Sequence, residues 1–208
     1  MLSISNPLEG GAGYFSSLLA AFEDVLLEVP EDTERLFKGW PLYVDATKVQ
    51  AYHRSFHVGG GFATKPLGSD DGPHVTRANV PVLAWADEAA PADGLLGRWL
   101  PGGIEKAATL ASGQEYDDAG MAGTNANFGA ENGLDTAERS ILSLFGERLE
   151  ANSMEMHYQP GEAVLWNNRR IVHRRDAFTD GDGEKRLLLR MWIADREGMS
   201  LVNPRGRL

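Results

Sequence analysis

AVLWNNRRIVHRRDAFTDGDGEKRLLLRMWI, residues 163–193, decides how this chain is read. Short apolar runs alternate with turn formers: AVLW, then NNRR, then IVH, then the loop TDGDGE, then RLLLRMWI. Asn, Asp and Gly at those breaks favour tight reversals, so the stretch reads as a meander of short antiparallel strands. MEMHYQ and the turn PGE extend the series toward the N-terminus. Two features resist explanation by packing alone. One is His173, which ends the apolar pair Ile171 and Val172. The other is the last run, which at period two puts Arg186, Leu188, Arg190 and Trp192 on one face. Leu187, Leu189, Met191 and Ile193 fall on the other, which reads as core. Arginine is costly to bury without an anion. Two of them on one face therefore point to a site for carboxylate-bearing small molecules. The plainer alternative is an edge strand with two solvated arginines.

Composition limits the rest. At 208 residues the chain fits one sizeable domain, and 42% apolar with 24% charged residues are ordinary globular values. A net charge of −10 argues against nucleic acid and anionic membranes as partners, although Arg169, Arg170, Arg174 and Arg175 form a local basic cluster around His173. With no cysteine, disulfides, thiolate metal sites and cysteine nucleophiles are excluded. No apolar run approaches a membrane span, and the first residues do not read as a signal peptide, so the expected compartment is the cytoplasm.

Outward from the C-terminal stretch, LSIS reads as a strand and PLEGGAG as a turn cluster. Leu18, Leu19, Phe22, Val25 and Leu26 recur at helical spacing, with Ser16 or Ser17 as N-cap and Pro30 ending the helix. EDTERLFKG reads as a short second helix, and PLYVDA and VPVLAWAD as strands. His53 and His57, four apart, have helical metal-pair spacing but no third ligand nearby, so a structural or surface role is the simpler reading. Residues 101–133 are rich in Gly, Ala and small polar residues and read as an active-site lid or an insertion. DTAERSILSLFGERLEAN is the clearest helix: Asp135 and Glu138 form a capping box, and Ile141, Leu142, Phe145 and Leu149 a buried stripe. A helical part followed by antiparallel strands predicts a mainly β fold with flanking helices, a jelly roll or double-sheet barrel.

The C-terminal region resembles the taurine dioxygenase family of Fe(II)- and 2-oxoglutarate-dependent oxygenases, which are built on a distorted double-stranded β-helix (jelly roll). The resemblance is carried by PGE, AVLW, NNRRIVHRRDAF and KRLLLRMWI, with EGGAGYFSSLLAAFE as a second, looser match. It implies that His173 corresponds to the distal iron-binding histidine. It also implies that Arg186 clamps the far carboxylate of 2-oxoglutarate and that Arg190 meets an acidic group of the substrate. The chemistry agrees: Fe(II) with open positions takes two imidazoles and one carboxylate, and a planar guanidinium matches a carboxylate at two points. The implied partners are a small-molecule substrate, 2-oxoglutarate and dioxygen.

The chain departs from the family in two places. No His-x-Asp or His-x-Glu occurs: His53, His57, His74, His157 and His173 are all followed by other residues. In the family that motif precedes the GG turn, here Gly10 and Gly11, and would fall before Met1. The 2-oxoglutarate-contacting threonine corresponds to Gly13. The expectation is thus a single oxygenase-like domain over residues 1–208, incomplete at its N-terminus: a fragment, a mis-assigned start or a degenerate descendant. An open sheet edge would then favour a homo-oligomer. Three functions stay open: a dioxygenase acting on a small acidic or amino-acid-like substrate, an inactive jelly-roll domain that binds a carboxylate or a protein, and a metal site rebuilt from His53, His57 or His74. His173 and Asp176 have base-and-orienter spacing, but no nucleophile completes a hydrolase.

Overall fold

Helices assemble the core in the computed structural model, which describes residues 1–45, 65–66, 75–86, 94–114, 133–183 and 185–191. Helix α1 (Leu18–Glu28) starts where the Ser17 hydroxyl accepts the Ala20 N–H at 3.3 Å, and it buries Leu18, Ala21, Phe22 and Val25. Of the stripe the sequence predicts, Leu18, Phe22 and Val25 are buried, Ala21 joins them at helical spacing, and Leu19 and Leu26 are exposed. Pro30 opens a 3-10 helix (Pro30–Phe37), braced by Arg35 Nε on Asp32 Oδ1 at 2.9 Å. Helix α2 spans Pro101–Ala111 and helix α3 Thr136–Ala151. Helix α3 begins with the expected reciprocal cap: Asp135 Oδ1 accepts the Glu138 N–H at 2.7 Å, and Glu138 Oε2 accepts the Asp135 N–H at 3.0 Å. Its stripe of Ile141, Leu142, Phe145 and Leu149 packs with α1, Leu36 and Ile104 into one apolar cluster. Arg148 on Glu28 and Asn152 on Asp24, both at 2.6 Å, tie α3 to α1 outside it.

The strands are β1 (Leu2–Ser5), β2 (Glu9–Gly10), β3 (Gly13–Ser17), β4 (Gly39–Asp45), β5 (Lys65–Pro66), β6 (Val75–Pro81), β7 (Leu83–Trp85) and β8 (Leu95–Gly97), then β9 (Ser153–Met156), β10 (Ile171–Arg175), β11 (Phe178–Thr179) and β12 (Leu187–Leu189). Among the described residues they form small antiparallel sheets: β10-β3-β9, β4-β6-β5, β11-β2, β1-β12 and β7-β8. Helix and strand are thus mixed, where a mainly β chain was expected.

Three strand expectations are corrected. The C-terminal strands do not form a meander: β9 and β10 flank β3, β11 pairs with β2, and β12 pairs with β1. Each short strand satisfies its backbone groups on an N-terminal partner instead of its sequence neighbour. AVLW is not a ladder strand. It contributes one bridge, Ala163 to Leu2, and the Val164 N–H donates to the Met1 carbonyl at 2.8 Å.

The faces of RLLLRMWI also differ from the expectation. Leu187, Leu189 and Met191, read as core, are 49%, 48% and 78% exposed, whereas Arg186 and Leu188 are half-buried. The cause is the register on β1: Leu188 lies opposite buried Ser3, which turns its odd-numbered neighbours outward on the side of exposed Ile4. Arg190, placed on the inward face by the sequence pattern, lies beyond the strand and is exposed.

Of the stretch read as a Gly-rich lid or insertion, residues 101–111 are helix α2, with Ile104, Ala107 and Ala108 buried. Residues 115–132, the histidines at 53, 57 and 74, and Trp192 and Ile193 lie outside the described residues.

Candidate functional site

One face of the β10-β3-β9 sheet carries the candidate residues. Because side chains alternate along a strand, Phe15 and Gly13 share the face on which His173 and Arg175 lie opposite them. The opposite face of β10 sends Val172 to the helical core and Arg174 to Glu150 and Asp176. This answers one expectation: Asp176 is engaged by Arg174 Nη1 at 2.6 Å and does not orient His173. The Asp176 carboxylate beside the Tyr14 hydroxyl, then burial and Glu155, hold that phenol up at about 12.

His173 sits in an aromatic niche. Its ring stacks on Phe15 with centroids 6.1 Å apart and meets Trp166 at 4.8 Å and 60°. Burial pushes its pKa below the ordinary value, and the positive charge of Arg190 adds to the effect. The imidazole is therefore held neutral, the form that can ligate a metal or accept a proton.

Farther along the same face, GGAG (residues 10–13) makes a corner that depends on missing side chains. Gly10 and Gly11 have φ of +73° and +77°, a region that disfavours other residues. A Cβ on Gly11 would lie 3.2 Å from Arg186 Nε and 3.0 Å from Pro7 Cγ. A Cβ on Gly13 would overlap the Tyr158 phenol oxygen and lie 2.9 Å from its Cζ. These two glycines let a guanidinium and a phenol close in on the backbone. Arg186 Nη2 donates to the Gly11 carbonyl at 3.2 Å, and the Arg186 N–H donates to Asp180 Oδ1 at 2.8 Å. Asp180 thereby staples the TDGDGE loop to the start of β12.

A cavity of about 160 Å³ opens at this corner, lined by Asn6, Gly11, His157, Tyr158, Gln159 and Arg186, with Glu9 also on its wall. Phe178 packs beneath two cations: Arg175 lies 4.6 Å and Arg186 5.0 Å from its ring centroid. Burial, and then the charge of Arg175, lower the pKa of Arg186. Arg186 lines this cavity while Arg175 lies outside its lining, so one partly desolvated guanidinium is presented to an anion there, with Glu9 also on the wall. His173 does not line this cavity. It stands one cross-strand step away: Phe15 opposite it and Gly13 under Tyr158 are two residues apart, about 7 Å along β3. The face thus presents an imidazole, a phenol and a guanidinium in that order. Arg190 acts on His173 by its charge.

Tyr158 was missed in the sequence. Its signal was only that Gly13 lacks the side chain a strand position normally carries. The residue the resemblance would make a threonine is this glycine, and a hydroxyl from another part of the chain fills its space.

The described residues do not fit a resident iron by themselves. Fe(II) with open positions needs three ligands on one side. Among the described residues no three His, Asp or Glu side chains gather to hold a metal ion. His173 supplies one imidazole, with Arg190's positive charge acting on it.

Residues 1–192 match the sequence profile described as taurine catabolism dioxygenase TauD, TfdA family. The match runs from β1 through the whole site face to the residue after Met191. Comparison with curated proteins returns no match.

Proposed function

Because the chain belongs to the TauD, TfdA family of dioxygenases, we propose that it is an Fe(II)- and 2-oxoglutarate-dependent dioxygenase. In this reading it hydroxylates a small acidic or amino-acid-like substrate in the cytoplasm. The family match over residues 1–192 carries the reading. One arrangement supports it: a neutral imidazole, His173, and a guanidinium, Arg186, lie toward two ends of the region around β3. In this assignment His173 is a metal ligand and Arg186 holds the far carboxylate of 2-oxoglutarate. Arg190, whose charge acts on His173, meets the acidic group of the substrate. The fold is proposed to be a distorted jelly roll in a single domain. Pairing of the first strands with the last, as Greek-key connections require, supports that. No helix among the described residues is long and apolar enough to cross a membrane.

The second reading, a carboxylate-binding domain without redox chemistry, is favoured by the lack of a three-ligand cluster among the described residues. One experiment separates the two. 2-Oxoglutarate is titrated into the Fe(II)-supplemented chain without oxygen, and succinate is measured after oxygen is admitted. Arg186→Lys should weaken binding roughly ten- to a hundredfold, since an ammonium cannot reproduce a two-point contact. Succinate release supports the oxygenase, and binding without succinate supports the second reading. Equal affinity of wild type and Arg186→Lys refutes the Arg186 assignment in both.

A further inference from the structure

We propose that the Tyr158 hydroxyl is a second carboxylate-binding group, donating to the same carboxylate that Arg186 holds. The inference rests on the reading of Arg186 above and adds a group that lies just beyond β9.

Tyr158 is 8% exposed, and its phenol oxygen stands over the main chain at Gly13, where any other residue would place a side chain. Buried tyrosine hydroxyls ordinarily find an acceptor. Among the described residues, no backbone or side-chain group accepts from this one. Its backbone carbonyl is occupied, accepting from Asn6 Nδ2 at 2.8 Å, so the residue is anchored on the cavity wall with its phenol oxygen held against Gly13. Arg186 lines that cavity too, and the charge of each group acts on the other.

A carboxylate offers about four lone-pair sites. The Arg186 guanidinium can fill two with parallel N–H groups, while its Nη2 also donates to Gly11. A third donor completes the set, and a phenol supplies it without adding charge. Burial raises the Tyr158 pKa, so the O–H keeps its proton at neutral pH. Ala12 and Leu188 share the cavity wall with mostly polar residues, so the pocket end selects for the carboxylate itself.

The test uses the full chain without added metal and two probes, glutarate and 2-oxoglutarate, with affinity read by ligand-observed NMR. Tyr158→Phe keeps the ring and should weaken both probes about tenfold, the loss of one hydrogen bond to a charged group. Its melting temperature should be unchanged, because the hydroxyl has no acceptor among the described residues. Gly13→Ala, which displaces the phenol, should weaken both probes as well. Unchanged probe affinity in Tyr158→Phe, with Arg186→Lys still weakened, overturns this proposal and leaves the Arg186 assignment standing. No loss in Arg186→Lys overturns both.

Discussion

Gly13→Ala tests whether the close approach of Tyr158 to β3 is real. Gly13 lies in a strand and is not among the residues with positive φ, so alanine brings no backbone strain there. The conflict is local: the new methyl would overlap the phenol oxygen and lie 2.9 Å from Cζ and 3.0 Å from Cε2 of a buried ring. Overpacking of this kind costs about 1–3 kcal/mol. The lower entropy of an unfolded chain with alanine in place of glycine returns about 0.4–1 kcal/mol. A net loss of up to about 2.6 kcal/mol follows, about 1.3 kcal/mol at mid-range, and the mid-range loss lowers the melting temperature by about 3–5 °C for a chain of this size. Urea denaturation at equilibrium measures it as a shift in midpoint at constant slope. Gly183→Ala is the control, since nothing lies within 4 Å of its added Cβ and its φ is ordinary, so it should be neutral or slightly stabilising. In a cycle with Tyr158→Phe, the double variant should cost less than the two singles together by at least about 0.5 kcal/mol, because the worst overlap has been removed. A neutral Gly13→Ala, or strict additivity with Tyr158→Phe, would refute the packing of the corner.

Three further outcomes are expected. Burial lowers the His173 pKa, so the unfolded chain takes up a proton near pH 6.5 that the folded chain refuses. Stability from this group is present above about pH 6.5 and lost as pH falls toward the folded value, by at most about 1.4 kcal/mol per pH unit. His173→Gln should flatten that part of a urea-midpoint profile, and an unaltered slope would show that the ring is solvated. Asp135→Ala should destabilise by about 1 kcal/mol through loss of the α3 cap, whereas Asp135→Asn, which keeps an acceptor, should lose much less; equal losses would point away from capping. Leu187 and Leu189 put an apolar face on the two-stranded β1-β12 sheet, so light scattering should show concentration-dependent association that Leu187→Lys with Leu189→Lys reduces. A wild-type chain that stays monomeric at every concentration contradicts this.

What could be read without coordinates divides by the range of the interaction. Helix α3 was legible to the residue and α1 in outline, with its cap open between Ser16 and Ser17 and Leu19 and Leu26 wrongly inside, because caps and apolar stripes are local: Ser17, Asp135 and Glu138 sit within four positions of what they bind. Helix α2 was hidden by its Ala and Gly content, which resembles loop composition until Ile104 and Ala108 are seen to complete the core. Strand existence was legible at β1 and β10 but pairing was not, since period two fixes which residues share a face and leaves the partner open. That is why, over residues 186–189, the alternation of RLLLRMWI was read and its inside misassigned: the choice belongs to Ser3, about 185 residues from Leu188. Arg186 could be singled out by type and position. Tyr158 could not, because it reaches the site through space vacated at Gly13.

The order of synthesis gives the pairing of β1, β2 and β3 with the last strands a cost in time. The Met1 ammonium group donates to the Val164 carbonyl, 163 residues later, and Arg186 reaches Gly11 across 175. At about 5–20 residues per second a ribosome needs roughly 10–30 s to deliver those partners. During that interval α1 can already meet the 3-10 helix, but β1 to β3 have nothing to pair with, and Phe15 and the GGAG corner wait unpaired. The cavity at the GGAG corner is among the last parts of this chain to come into existence, and synthesis that stops before residue 186 leaves helices without it.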